Sequence, residues 1–320
     1  MIGGGVVQKW LMLVVCILLA GCSQENFKEI DQSESFVATV NILQPSVQFF
    51  NELGEVIADW ELEDPFTGGE LVGDDRLLLY GHQLTTANLY QLSTGKLLET
   101  IEIPIGTTNA YYDVESTQLF LANSETNELY VYNEDGQLID ALTLRNYPMS
   151  MIAAEGLLYV VNYKDTLLSI VDVTTLKVVE EWPIESSSHG LWIDKKNDRL
   201  WIGGHGEGTK PNDTIDIYEL ETGQLLKQLK LPMMPVHIAS DSEQQAVVSH
   251  GSNMLYIIEH EQVIDSLKVS ANPFAVNYFK ERIIVAGYDD QTLYFIEDGQ
   301  VKLEVPTKKG PFHLLTREVE

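Results

Sequence analysis

The sequence predicts an all-β fold, a seven-bladed β-propeller. Three observations carry this. A turn followed by a strand recurs roughly every 40 residues. Each repeat holds four short β-like runs set apart by turn residues. The opening strand missing from the first repeat reappears at the far end of the chain.

The recurring segment reads NELGEVIADWEL at 51–62, STGKLLETIEI at 93–103 and NEDGQLIDALTL at 133–144, and it continues to EDGQVKLEV at 297–305. Its turn falls at Gly54, Gly95, Gly136, Leu176, Gly223, Glu261 and Gly299, giving spacings of 41, 41, 40, 47, 38 and 38. Within one unit, 146–184, the runs are MSMIAA, LLYVVN, LLSIVDV and KVVEEWPI. Four strands in forty residues make one propeller blade, and a β-sandwich would not hold so even a period.

The ends set the blade count. The first repeat begins at Phe36 with FVATVNI, which corresponds to a second strand. GPFHLLTR at 310–317 matches the opening strands PVHIAS (235–240) and PFAVNY (273–278). The C-terminal strand is therefore expected to complete the blade that the N-terminal strands begin. Residues 36–320 then form seven blades with no open edge. Tyr90, Tyr130, Tyr218, Tyr256 and Tyr294 are expected at one repeated place in the third strands, packing between blades.

The first 21 residues read as a signal peptide. Lys9 supplies the positive charge, and Leu11 to Leu19 form an apolar run too short for a comfortable mature span. Leu19-Ala20-Gly21-Cys22 resembles the lipobox of bacterial lipoproteins. The resemblance implies a diacylglyceryl group on the Cys22 thiol, cleavage before it, and a protein held by lipid on the outer side of the cell membrane. Residues 22–35 are expected to be a flexible lipidated tether. No cysteine follows Cys22, so the folded domain has no disulfide, no thiolate metal site and no thiol nucleophile.

Acidic residues outnumber basic ones 48 to 20, and the net charge is −28. The acids are spread along the chain, and no basic cluster offsets them. Nucleic acid is thereby excluded as a partner. The expected partners are the membrane, through the lipid on Cys22, and a protein or small-molecule ligand of unidentified chemistry. The propeller itself is expected to be a monomer.

Units such as LLYVVNYKDTLLSIVDVTTLKVVEEWPI (157–184) resemble the YVTN-type β-propeller family of exported bacterial proteins. The resemblance spans residues 36–320 and implies architecture, not activity, because propellers host enzymes, binding proteins and scaffolds alike. PFTGGELVG and TTNAYYDV in the early repeats depart from the family's proline spacing. No Trp-Asp pair recurs at strand ends, so WD-repeat propellers match less well.

Familiar catalytic motifs are missing: there is no G-x-S-x-G, phosphate loop or H-E-x-x-H. Gly203 to Gly208 is glycine-rich but lies between β-runs, with no helix N-terminus to face an anion. Histidine is the informative residue type. His189, His237 and His313 fall at the start of first strands. His82, His205 and His250 fall just after second strands. Both places belong to one face of a propeller, whereas His260 belongs to the other. The fifth unit also carries the insert HGEGTKPND in a loop on that histidine face.

Two functions follow from this pattern. The first is a binding or assembly scaffold at the cell surface without catalytic activity. The alternative is a metal-dependent lyase or hydrolase using zinc or copper, with His189, His237 and His313 as axial ligands. His82, His205 and His250 would then form the rim, too far from the axis to join the metal.

Overall fold

The computed structural model describes residues 26–241 and 243–319. The signal peptide and Cys22 lie outside the described residues. Seven four-stranded antiparallel sheets are arranged as a β-propeller, and the described residues contain no helix. Strands are counted here from the axis outward, first to fourth, and blades from the N-terminus.

Blade 1 is the composite. Its first strand is Pro311–Arg317, followed by Phe36–Asn41, Ser46–Phe50 and Val56–Glu61. The closing pair runs antiparallel from Phe36 opposite Arg317 to Asn41 opposite Pro311. The first strands of blades 2 to 7 are Gly68–Leu71, Thr107–Asp113, Pro148–Ala154, Ser188–Asp194, Pro235–Ser240 and Pro273–Phe279.

The strand patterns follow from the layering. Second strands such as LLYVVN (Leu157–Asn162) are buried almost throughout, because a neighbouring blade covers each face. Fourth strands such as LIDALT (Leu138–Thr143) are largely exposed at the rim. Between successive blades lie seven apolar clusters, each shared by two sheets. One joins Leu78 and Leu89 of blade 2 to Leu119 and Tyr132 of blade 3. Another joins Phe279 and Phe295 of blade 7 to Val37 and Phe50 of blade 1, which closes the ring in the core as well as in the backbone.

Two sequence expectations change. The five tyrosines occupy two places, not one. Tyr90 and Tyr218 face the first residue but one of the second strand (Leu77, Leu200), whereas Tyr130, Tyr256 and Tyr294 stand two residues earlier. A two-residue step keeps the same side of a strand, so all five still pack against the interblade clusters.

The tether expectation also changes, from Asn26 onward. Phe27 stacks on Trp60 with ring centroids 4.8 Å apart, Ile30 is buried, and the Phe27 amide donates to the Gly95 carbonyl. The Trp60 indole donates to the Lys28 carbonyl, and the Arg317 guanidinium donates to the carbonyls of Asp31 and Glu34. Residues 26–35 are thus a strap across blades 1 and 2. Two apolar anchors among eight polar residues leave no periodicity for a sequence reading to find.

Candidate functional site

Six histidines share one face. First strands begin there and second strands end there, so one face collects both sets. His260 sits in the turn between third and fourth strands on the opposite face, fully exposed.

Each first strand that carries a site residue starts with a β-bulge. The pairing register breaks between Ser188 and Leu191, between Pro235 and His237, and between Pro273 and Ala275. A bulge re-aims side chains, so two successive residues can look into the same space. His189 aligns one residue before His237 and His313, yet all three line one axial cavity. Its volume is about 160 Å³. Phe274, Phe312 and Met149 line it as well, with the polar side chains of Tyr80, Thr108 and Asn109, and no charged side chain does.

His189 and His237 are tied to the next blade's backbone. His189 Nδ1 lies 3.0 Å from the Val236 carbonyl oxygen. The Val276 amide donates to His237 Nδ1 at 3.3 Å. Gly190 makes the first approach possible, since a Cβ there would stand 2.6 Å from the Val236 oxygen. Gly204 serves the loop in the same way: a Cβ would meet the Ser187 carbonyl at 2.5 Å, where the His205 amide now donates.

The rim and axial sets meet, contrary to the distance expected from the sequence. His205 is 5.5 Å from His189 and 5.0 Å from His250, ring centre to ring centre. His250 stacks on Phe274 at 4.8 Å, Tyr163 approaches His205 at 5.9 Å, and Tyr147 lies 5.8 Å from Tyr163. An arc of rings therefore crosses blades 4 to 7. The insert that follows His205 forms a small hairpin, Gly206–Glu207 with Lys210–Pro211, and Asn212 returns its amide to the His205 carbonyl. The insert folds back on itself directly beside the rim. His82 takes different partners: its Nε2 is 3.3 Å from Ser124 Oγ of blade 3 and its Nδ1 is 2.9 Å from Gln83.

Burial pushes His189, His205, His237 and His313 down to about 4, and neighbouring imidazoles add to the effect at the first three. All four are neutral at pH 7. Among the described residues, no group of three or more His, Cys, Asp or Glu is placed to hold a metal ion. His189, His237 and His313 share the cavity without forming a ready ligand set. Glu70, in the first strand of blade 2, also escaped the sequence reading. Burial pushes its carboxyl up to about 8, although the Tyr112 amide donates to it at 2.9 Å.

Phe274 and Phe312 escaped it too. They occupy the same repeat position as His189, each directly after the strand's first residue. Aligning the seven inner strands would have found them.

No protein-family model matches the chain, and no curated protein matches it in sequence. Solved structures do match in shape. A functionally unknown protein from Desulfotomaculum acetoxidans DSM 771 superposes with a TM-score of 0.74 at 11% identity, over 88% of this chain and 99% of that one. The computationally designed Ika8 protein gives 0.69 at 14%, over 92% of each chain. Apo AztD from Citrobacter koseri gives 0.61 at 11%, over 88% and 97%. Likeness at such identities speaks to the fold alone.

Proposed function

We propose that this chain is a lipid-anchored binding protein on the extracytoplasmic side of the cell membrane, related to the YVTN-type propellers, whose axial cavity takes a small uncharged molecule. The observation that carries the reading is the cavity itself. It is lined by three neutral imidazoles and two phenyl rings, and its lining includes no thiol, carboxylate or cationic side chain. A net charge of −28 disfavours anionic ligands in addition. The anchor rests on the LAGC match at 19–22.

Ligand-observed NMR with a library of neutral single-ring compounds tests the binding function. Hits on the native protein should vanish in Ser150→Trp, which fills the cavity from blade 4. Hits that persist in that variant, or an empty screen, would remove the reading. The anchor is tested separately: Cys22→Ser should abolish incorporation of labelled fatty acid.

One observation favours a second reading, a transition-metal site. His205 Nδ1 and His250 Nε2 are buried without a hydrogen-bond partner, on rings 5.0 Å apart. Imidazole nitrogens in that state are good ligands for zinc or copper. Stoichiometric zinc or copper binding that is lost in His205→Ala/His250→Ala would establish it. Equal binding by both proteins would dismiss it.

A further inference from the structure

Two neighbouring imidazoles in the axial cavity hold opposite tautomers. A backbone carbonyl only accepts and a backbone amide only donates. His189 Nδ1, facing the Val236 oxygen, must therefore carry the ring's proton, and its Nε2 is a bare acceptor. His237 Nδ1, facing the Val276 amide, must be bare, and its Nε2 carries the proton. Both rings are neutral, so each has one proton to place. Neither Nε2 is among the buried atoms lacking a partner, and neither makes a hydrogen bond to another described residue, so both tips are left open to the cavity they line.

From this arrangement we infer that the cavity reads a lactam-type edge: His237 Nε2–H donates to a ligand carbonyl while His189 Nε2 accepts from the adjoining ligand N–H. The inference rests on the binding reading above and names the ligand class within it. Size and walls agree with a single flat ring. An apolar cavity of about 150 Å³ admits benzene, and this one measures about 160 Å³. Phe274 and Phe312, 5.2 Å apart and tilted at 53° to each other, supply aromatic walls for a flat ring. An acid would meet the bare His189 nitrogen only after shedding or sharing its proton in a strongly negative molecule. A cation would find no carboxylate in the lining. A neutral ring with C=O beside N–H satisfies both tips at once.

Three probes of nearly one size decide the matter: 2-pyridone, N-methyl-2-pyridone and toluene, titrated by calorimetry against the native protein at pH 7. 2-Pyridone should bind at least about tenfold tighter than N-methyl-2-pyridone, because the methyl group leaves the His189 acceptor unpaired. His189→Phe keeps a ring of similar size and should erase that preference while still taking toluene. His237→Phe should weaken both pyridones by a similar factor, since it removes the donor their carbonyls share. Equal affinity for all three probes would overturn the lactam inference and leave the binding reading standing. Binding of none would overturn it as well, and the fragment screen with Ser150→Trp would then say whether the cavity binds anything. If His189→Phe fails to fold, the comparison of the two pyridones on native protein still decides the inference.

Discussion

The imidazole of His205 stands edge-on to that of His250, with ring centroids 5.0 Å apart and an angle of 70° between the planes. Asn272 Oδ1, 2.8 Å from His250 Nδ1, can only accept, so in the neutral ring the lone pair of His250 is on Nε2. That nitrogen and His205 Nδ1 are both buried and unpartnered. Each such atom costs about 1–3 kcal/mol of stability. A ring with no nitrogens should relieve the cost at position 205. His205→Phe is therefore expected to keep or raise the melting temperature, by up to a few degrees. A fall of several degrees would mean that Nδ1 has a partner in solution.

The histidines also predict how stability depends on acidity. His189, His205, His237 and His313 have folded values near 4 against about 6.5 when unfolded. Between those values the unfolded chain binds more protons, so stability rises with pH across that window. Above pH 6.5 the four groups contribute no slope, and below 4 the slope is spent. The melting temperature should drop steadily from pH 7 to pH 4.5. Replacing His237 and His313 together by Asn, which has no titrating proton, should flatten the curve. An unchanged slope in that variant would place the acid sensitivity elsewhere.

Glu70 carries the opposite sign. Its carboxyl titrates near 8 when folded and near 4.5 when unfolded, so the folded state binds the extra proton between these values. Its contribution is complete below pH 4.5 and is lost as the pH rises through 8. Glu70→Gln removes the charge and keeps an oxygen for the Tyr112 amide. The variant should gain on the native protein as the pH climbs from 6 to 9, measured by urea midpoints. Parallel pH curves for the two would show that water reaches Glu70 and that its carboxyl is charged at neutral pH.

The architecture was legible because it repeats. A period near 40, four runs per unit and the match of 310–317 to 235–240 are each visible without coordinates, and the pairing of Phe36 with Arg317 is their consequence. The face shared by six histidines was legible for the same reason, since position within a repeat sets the end of the blade. What the repeat could not convey was the bulge at the inner strands that carry the histidines, which turns two successive residues into one cavity. A strict period-two strand would have sent His189 away from His237. Nor could it show the hairpin after His205, or that His205 of the rim reaches His189 of the axial set. The strap was hidden because Phe27 and Ile30 find their partners far along the chain, at Trp60 and Leu92.

Strap and closure meet at one residue, and this gives the last prediction. Arg317 ends the closing strand, lies 4.7 Å from the Phe36 ring and is largely buried. Its guanidinium donates to the carbonyls of Asp31 and Glu34 in the strap and of Asp74 in blade 2. Burial lowers its pKa, yet nearby acids Asp75, Asp74 and Asp31 draw it back up, and the group stays charged. Arg317→Met keeps the apolar stem, removes the fork and strands three carbonyls. Hydrogen bonds from a charged donor contribute roughly 1.5–3 kcal/mol, so a loss of that order is expected. Phe27→Ala should cost about 1–3 kcal/mol through the lost stack on Trp60, less than a fully buried phenylalanine because Phe27 is half-exposed. Both changes release the same ten residues. Once one has freed the strap, the other has less left to lose, so the double variant should fall short of the sum by at least about 0.5 kcal/mol. Urea denaturation of the four proteins in this cycle measures the coupling. Strict additivity would mean that Arg317 serves the closure alone and that residues 26–35 hold to the propeller through Phe27 and Ile30 without it.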